Sequence, residues 1–137
     1  MQSLKMAEIF GAVSDDSSLQ LFKLIAQSNG ATSDVLRGKM TLTRKQYYSR
    51  LYRLSRCGLI KRRDNTYVLT AFGKVLYDAQ ATIENALSNF WRIKVADTLD
   101  AADGIPAEEQ KKLLETLIND QEIKSILMKR DGSVAAV

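Results

Sequence analysis

The chain has 137 residues, of which 45% are apolar, and a formal net charge of +4 at pH 7. This size fits one domain, or a small domain with an appended helical region, and the apolar content is sufficient for a core. With no histidine and one cysteine, Cys57, the sequence excludes the common zinc sites, histidine-dependent catalytic triads and an internal disulfide. The N-terminal residues have no long apolar stretch typical of a signal peptide or a membrane span, so we expect a cytoplasmic protein.

Apolar residues recur at helical spacing in four early segments, with capping residues before them or glycine after them. The last of these segments has the clearest start, because Thr43 and Gln46 have the spacing of a capping box. Gly58 is placed to end it. The predicted helices are 4–10, 14–29, 33–39 and 43–57.

The helix that starts near Thr43 has two different faces. At about 100° per residue, Tyr47, Leu51 and Leu54 stack on one side. The other side gathers polar and basic residues: Lys45, Gln46, Ser49, Tyr52, Arg53 and Arg56. One face suits a protein core and the other suits a polyanion.

Two short strands are predicted directly after this helix. The segments 59–63 and 66–70 are rich in strand-forming residues, and Asp64-Asn65 between them is typical of a turn. The sequence therefore predicts a β-hairpin next to the basic helix.

The positive charge is concentrated in one segment, 37–63, which we call the basic window. Its 27 residues contain ten Lys or Arg and no Asp or Glu, while the rest of the chain has ten basic and sixteen acidic residues. The basic window thus has a charge of +10, and the rest of the chain has a charge of −6. Such a concentration of positive charge indicates a polyanionic partner, and nucleic acid is the first candidate. The alternative is a solvated charged face without a partner.

A long helical pattern starts at Thr70 and alternates steps of four and three. About 28 residues of helix would extend about 40 Å, which is longer than a domain of about 70 residues can cover. We therefore predict a homodimer through this helix. The alternative is an intramolecular core covered by the last helices. The predicted interface residues are Leu76, Ile83, Leu87, Phe90 and Trp91.

The C-terminal part is predicted to contain two more helices. Residues 100–104 form a break, Pro106 opens a helix that runs to Ile118, and 123–128 forms a last short one. The acidic pairs Asp15-Asp16 and Glu108-Glu109 lie at predicted helix starts, where capping explains them better than acid–base catalysis. We expect a DNA-binding domain over 1–79, a helical dimerisation region over 80–130 and a disordered tail over 131–137.

The helices 14–29, 33–39 and 43–57 are followed by a hairpin, and the third of them is basic and ended by glycine. This order resembles a winged helix-turn-helix domain. The segment 42–63, LTRKQYYSRLYRLSRCGLIKRR, resembles the recognition helix and first wing strand of prokaryotic regulators, and 67–73, YVLTAFG, resembles the exit from their wing. The likeness covers about 14–79 and is greatest to small archaeal winged-helix regulators. It implies a mainly α fold with a small β-hairpin.

The resemblance also implies which residues bind DNA. The recognition helix would lie in the major groove, and the wing beside the minor groove or flanking phosphates. Arg44, Lys45, Gln46, Tyr48 and Ser49 would be nearest the bases. The implied recognition-helix residues are Thr43, Arg44, Lys45, Gln46, Tyr48, Ser49, Tyr52, Arg53 and Arg56, and the implied wing residues are Lys61, Arg62, Arg63 and Asn65.

These observations predict a sequence-specific transcription regulator that binds double-stranded DNA. Two alternatives remain: a nucleoid protein that binds DNA by charge alone, and a winged-helix adaptor that contacts protein in a transcription complex. We expect no enzyme activity, catalytic residue, cofactor, metal, membrane contact or small-molecule ligand. Cys57 is expected to be a packing residue, with redox sensing as its alternative.

Overall fold

The computed structural model describes residues 3–28, 30–101 and 104–129. The chain divides into two compact units, Met1–Asp78 and Ala79–Val137. The fold is mainly α with one small β-hairpin, as predicted, and the expected disordered tail lies outside the described residues. The elements are α1 Met6–Ala12, α2 Asp16–Ser28, α3 Ser33–Gly38, α4 Arg44–Arg56, β1 Ile60–Arg63, β2 Thr66–Leu69, α5 Ala71–Ser88, α6 Phe90–Ala101, α7 Ala107–Leu117 and α8 Gln121–Met128.

The first unit contains the four predicted helices with small changes at their ends. The helix expected from Ser14 begins at Asp16, because the Asp15 carboxylate accepts a hydrogen bond from the Ser18 backbone N–H at 3.2 Å and caps α2. Asn29, expected to end this helix, lies outside the described residues. The capping role predicted for Asp15 is confirmed.

Helix α4 is held at both its start and its inner face. The Gln46 N–H donates to the Thr43 hydroxyl oxygen at 3.2 Å, and the Thr43 N–H donates to the Gln46 side-chain oxygen at 3.0 Å, so the capping box is confirmed. Tyr47, Leu51 and Leu54 are buried, as their spacing predicts. They join a core that also contains Ile9, Ala12, Leu21, Phe22, Ile25, Leu36, Met40, Cys57, Leu59 and Ile60.

The hairpin is antiparallel, with Ile60 opposite Leu69 and Arg63 opposite Thr66. Asp64 in its two-residue turn has a φ of 58°, the left-handed region that Asp tolerates better than most residues. A third segment borders β2, through an isolated bridge between Thr32 and Thr66. The sequence did not predict this bridge, because a single paired residue has no periodicity.

Helix α5 is fixed where it leaves the hairpin. The Thr70 hydroxyl accepts from the Gly73 N–H at 2.9 Å and donates to the Gly58 carbonyl, while the Thr70 N–H donates to the Leu59 carbonyl at 3.0 Å. Gly73 lies so close to Leu59 that a Cβ would be 2.0 Å from the Leu59 carbonyl oxygen. Only glycine fits this approach.

The single long helix predicted from Thr70 is interrupted at Asn89, which separates α5 from α6. The Ser88 hydroxyl donates to the Glu84 carbonyl at 3.1 Å, and the Asn89 amide donates to the Asn85 carbonyl at 2.9 Å. The Asn85 carbonyl also accepts from the Asn89 backbone N–H at 3.1 Å, so the side chain and the backbone of Asn89 compete for one acceptor at the interruption. Apolar periodicity carries no sign of this polar competition.

The second unit contains the two predicted C-terminal helices. Glu108 and Glu109 lie in the first turn of α7, as expected for residues that complement the helix dipole. Asp120 caps α8 by accepting from two backbone N–H groups, and the neighbouring Ile118 and Ile123 are buried. Among the described residues, none of the helices is long and apolar enough to cross a membrane.

Candidate nucleic-acid interface

The face of α4 opposite the core exposes every residue that the resemblance placed there. We call this surface the α4 outer face, and four of its nine members are Lys or Arg. Since the inner face is buried, the two-faced character predicted from the sequence is confirmed. The members are Thr43, Arg44, Lys45, Gln46, Tyr48, Ser49, Tyr52, Arg53 and Arg56, all exposed.

The start of the α4 outer face is organised by the capping box. Gln46 uses its side-chain oxygen to accept from the Thr43 N–H. Paired recognition of adenine by glutamine needs that oxygen as the acceptor and the amide nitrogen as the donor. With the capping box closed, one of the two lone pairs of that oxygen is occupied, so a ligand meets its second lone pair and the amide nitrogen of Gln46.

Tyr47 and Tyr48 are neighbours in sequence with different surroundings. The Tyr47 ring is fully buried and its hydroxyl lies 3.0 Å from the Ser33 hydroxyl, and burial raises the pKa of Tyr47. Tyr48 is 41% exposed, and the Ser33 hydroxyl, with Arg44 nearby, lowers the pKa of Tyr48. Arg44 lies over the Tyr48 ring at 5.9 Å, a cation–π contact that orients the arginine at the start of the helix.

Within the described residues, Arg50 differs from the other cations of α4, because it has an acidic partner. Its guanidinium lies 3.2 Å from the Asp15 carboxylate, and it also donates to the Gln46 carbonyl at 3.3 Å. The Ser18 hydroxyl and N–H, followed by Arg50, hold the pKa of Asp15 below its ordinary value. The basic window therefore contains a cation that joins α4 to the start of α2, a pairing that spans 35 residues and leaves no local signal.

The end of α4 lies against α1. The Arg53 guanidinium passes over Gly11, where a Cβ would be 2.8 Å from the Arg53 Nη2 atom. Cys57 is buried, and its thiol lies 3.7 Å from the Glu8 carbonyl oxygen. Cys57 is thus a core residue, as expected. In the described part of the chain, we find no group of three or more Asp, Glu or Cys side chains arranged to hold a metal ion.

The wing presents its polar residues on two faces. Successive side chains of a strand point to opposite sides, so Lys61 and Arg63 share one face and Arg62 lies on the other. Arg62 donates to the Asp64 carbonyl at 3.1 Å and contacts the Asn65 side-chain oxygen at 3.4 Å, which places it at the tip. All four predicted wing residues, Lys61, Arg62, Arg63 and Asn65, are exposed.

The second unit exposes large apolar side chains from α5 and α6. We call this surface the α5–α6 apolar face. Phe90 and Trp91 pack edge to face with their centroids 5.6 Å apart. Leu76, predicted with them, is instead partly buried against the core of the first unit. The members of the face are Ile83, Leu87, Phe90 and Trp91, which are 66, 72, 52 and 74% exposed.

Comparison with known proteins gives a distant likeness to a solved structure. No protein-family model matches the chain, and no protein of curated function matches it. A similar solved structure is an ArsR-like transcriptional regulator from Rhodococcus sp. RHA1, which has 19% sequence identity and a TM-score of 0.46, over 72% of this chain and 93% of that one. At this identity and TM-score the likeness transfers no function to the chain. The function proposed below therefore rests on the side chains described above.

Proposed function

We propose that the protein is a transcription regulator that binds specific sequences of double-stranded DNA as a homodimer. The observation that carries this proposal is the α4 outer face, a cationic helical surface in a window without carboxylates. A 13-residue helix backed by a buried face and followed by a hairpin has the size and form that enter a major groove.

Arg44, Lys45 and Ser49 are the strongest candidates for base contacts. They are exposed in the first half of α4, and Arg or Lys donates well to guanine. Gln46 contributes through its amide nitrogen and the second lone pair of its side-chain oxygen while the capping box is closed. Arg53 and Arg56, near the end of the helix, would follow the phosphates and gain affinity by counterion release.

Arg62 and Asn65, at the tip of the hairpin, are the wing residues best placed for flanking phosphates. Arg62 is already oriented by its bond to the Asp64 carbonyl. Lys61 and Arg63 lie on the other face of β1, so their contribution depends on whether the duplex reaches that side.

The homodimer is supported by the α5–α6 apolar face. Exposed apolar patches of this kind mark interaction sites, and a second copy of the chain offers an identical apolar patch. Leu76 is partly buried, so the other four predicted interface residues would carry the contact. Two α4 helices in one dimer could then reach successive major grooves.

The first test is binding to DNA selected from a pool of random duplexes. Affinities for the selected site and for an unrelated duplex are compared at physiological salt, and a specific regulator should prefer its site by about a thousandfold or more. A ratio near one would indicate the nucleoid protein instead. A protein that binds no duplex at low salt would fit the adaptor.

A pair of variants tests the roles assigned within the surface. Arg44→Ala should change the preferred sequence, whereas Arg62→Ala should weaken all duplexes alike and lower the slope of log affinity against log salt by about one. The groove assignment is wrong if Arg44→Ala behaves as Arg62→Ala does.

The dimer is tested by sedimentation of the variant with Ile83→Glu and Phe90→Glu. We expect monomers, since two buried carboxylates would oppose the apolar contact. Leu113→Glu is the matched control, because Leu113 is 44% exposed in α7 of the same unit and lies outside the proposed contact. An unchanged mass for the double variant would disprove the contact.

A further inference from the structure

A cleft in the first unit gathers cations from two elements other than α4. We call it the wing cleft. Lys61 and Arg63 line the cleft from β1, and Lys74 lines it from α5. None of the described residues that line the cleft belongs to α4. The cleft has a volume of about 410 Å³, within the range of small-molecule sites. The complete described lining is Ile25, Ala26, Gly30, Lys61, Arg63, Val68, Leu69, Lys74, Tyr77 and Asp78.

The hairpin register explains why the cations converge. Lys61 pairs with Val68, and Arg63 lies two residues further along the same strand, so the three share one face of the hairpin. Lys74 lies at the start of α5, where Thr70 caps the helix and donates to the Gly58 and Leu59 carbonyls just before β1. The positions of these charges are therefore set by backbone contacts of the fold.

The polar groups of the cleft are mainly hydrogen-bond donors. The Tyr77 hydroxyl accepts from the Gln27 amide at 3.2 Å, an orientation in which its own proton can donate to a ligand. Tyr77 is positioned by its ring, which packs edge to face on Phe22 with centroids 6.1 Å apart. Three cations and one carboxylate, Asp78, give the described lining a net charge of +2.

The rest of the lining is apolar. Ile25, Ala26, Val68 and Leu69 provide hydrocarbon surface beside the charges. A DNA phosphate would satisfy the cations, but the oxygen-rich deoxyriboses beside it would cover this surface less well than a hydrocarbon or aromatic group. A small molecule with both an anionic and an apolar group would satisfy both.

We propose that the wing cleft binds a small anionic ligand, a phosphate ester or carboxylate that carries an apolar or aromatic group. Lys61, Arg63 and Lys74 neutralise its charge, the Tyr77 hydroxyl donates to one of its oxygens, and the apolar residues contact the remainder. The site is separate from the α4 outer face, and binding to it does not require DNA.

The probe is phenyl phosphate, added without DNA to the full chain and followed by NMR, with phenol and inorganic phosphate as its separate halves. We expect saturable changes in NMR chemical shift, centred on Val68 and Lys74. Phenol and inorganic phosphate should each bind more weakly than phenyl phosphate. Lys74→Gln should weaken phenyl phosphate about tenfold, the size of one charge-assisted hydrogen bond. Tyr77→Phe, which keeps the ring, should weaken it severalfold.

The matched control is Lys5→Gln, which removes an exposed lysine of the same unit outside the cleft and should leave binding unchanged. Four results would each overturn the proposal. They are chemical-shift changes centred on α4, a loss of affinity in Lys5→Gln equal to that in Lys74→Gln, binding of phenol as tight as that of phenyl phosphate, and no saturable binding. If phenyl phosphate does not bind but Lys74→Gln lowers the salt slope for duplex DNA, the cleft takes a DNA phosphate instead. Because the probe is measured without DNA, failure of this site and failure of duplex binding are distinguishable.

Discussion

The close approach of α5 to Leu59, the residue before β1, makes Gly73 sensitive to any added side chain. A Cβ there would lie 2.0 Å from the Leu59 carbonyl oxygen and 2.9 Å from its carbon. Ordinary non-bonded contact begins at about 3.5 Å, so the helix would have to move by more than about 1 Å. Thr70 holds it in place with three hydrogen bonds. We expect Gly73→Ala to lower the free energy of unfolding by about 3 kcal/mol, the upper end for overpacking.

Gly38→Ala is the matched control for this change. Gly38 ends α3, and a Cβ there meets nothing within 4 Å. The same glycine-to-alanine change should therefore raise the free energy of unfolding by about 0.5 kcal/mol, through the unfolded chain. Urea titrations followed by far-ultraviolet circular dichroism give both values, while Trp91 fluorescence reports the second unit alone. Equal midpoints for Gly73→Ala and the wild type would refute the reasoning.

Three further experiments test local features of the first unit. Thr43→Ala should lower the free energy of unfolding by about 1 kcal/mol in urea titrations, whereas Thr43→Ser should keep most of it; equal losses would exclude the capping bond as the cause. The folded-state pKa of Asp15 is lowered, so its contribution is present above an unfolded pKa of about 3.9 and is lost as pH falls through the folded value. Asp15→Asn should thus lose less stability on acidification than the wild type, and an equal loss would contradict this. The buried Cys57 thiol should react with a thiol reagent slowly until urea is added; rapid labelling of the native protein would count against its burial.

The features predicted correctly from the sequence are those with a local cause. The capping box depends on two residues three positions apart, and Tyr47, Leu51 and Leu54 face the core because the helical period places them together. The hairpin turn at Asp64-Asn65 is equally local. For such features, residue type and spacing contain the physical cause.

The features that the sequence did not predict depend on partners distant in the chain or on side-chain competition. Arg50 looks like any other cation of α4 until Asp15 is placed beside it. The wing cleft needs α5 to pack near β1, which no local pattern specifies. At Asn89 the cause is local, but the apolar stripe continues through it and hides the break.

These long-range contacts change what the ten cations of the basic window can contribute to DNA binding. If all ten contacted phosphates, log affinity would fall against log salt with a slope of about 9 per chain. Arg50 is paired with Asp15, and Lys61 and Arg63 line the wing cleft, which leaves seven. We therefore expect a slope near 6 per bound chain, measured from duplex binding over a range of salt concentrations. A slope near 9 would mean that the duplex also contacts these three cations. The number of charges in the basic window would then predict the slope without the folded structure.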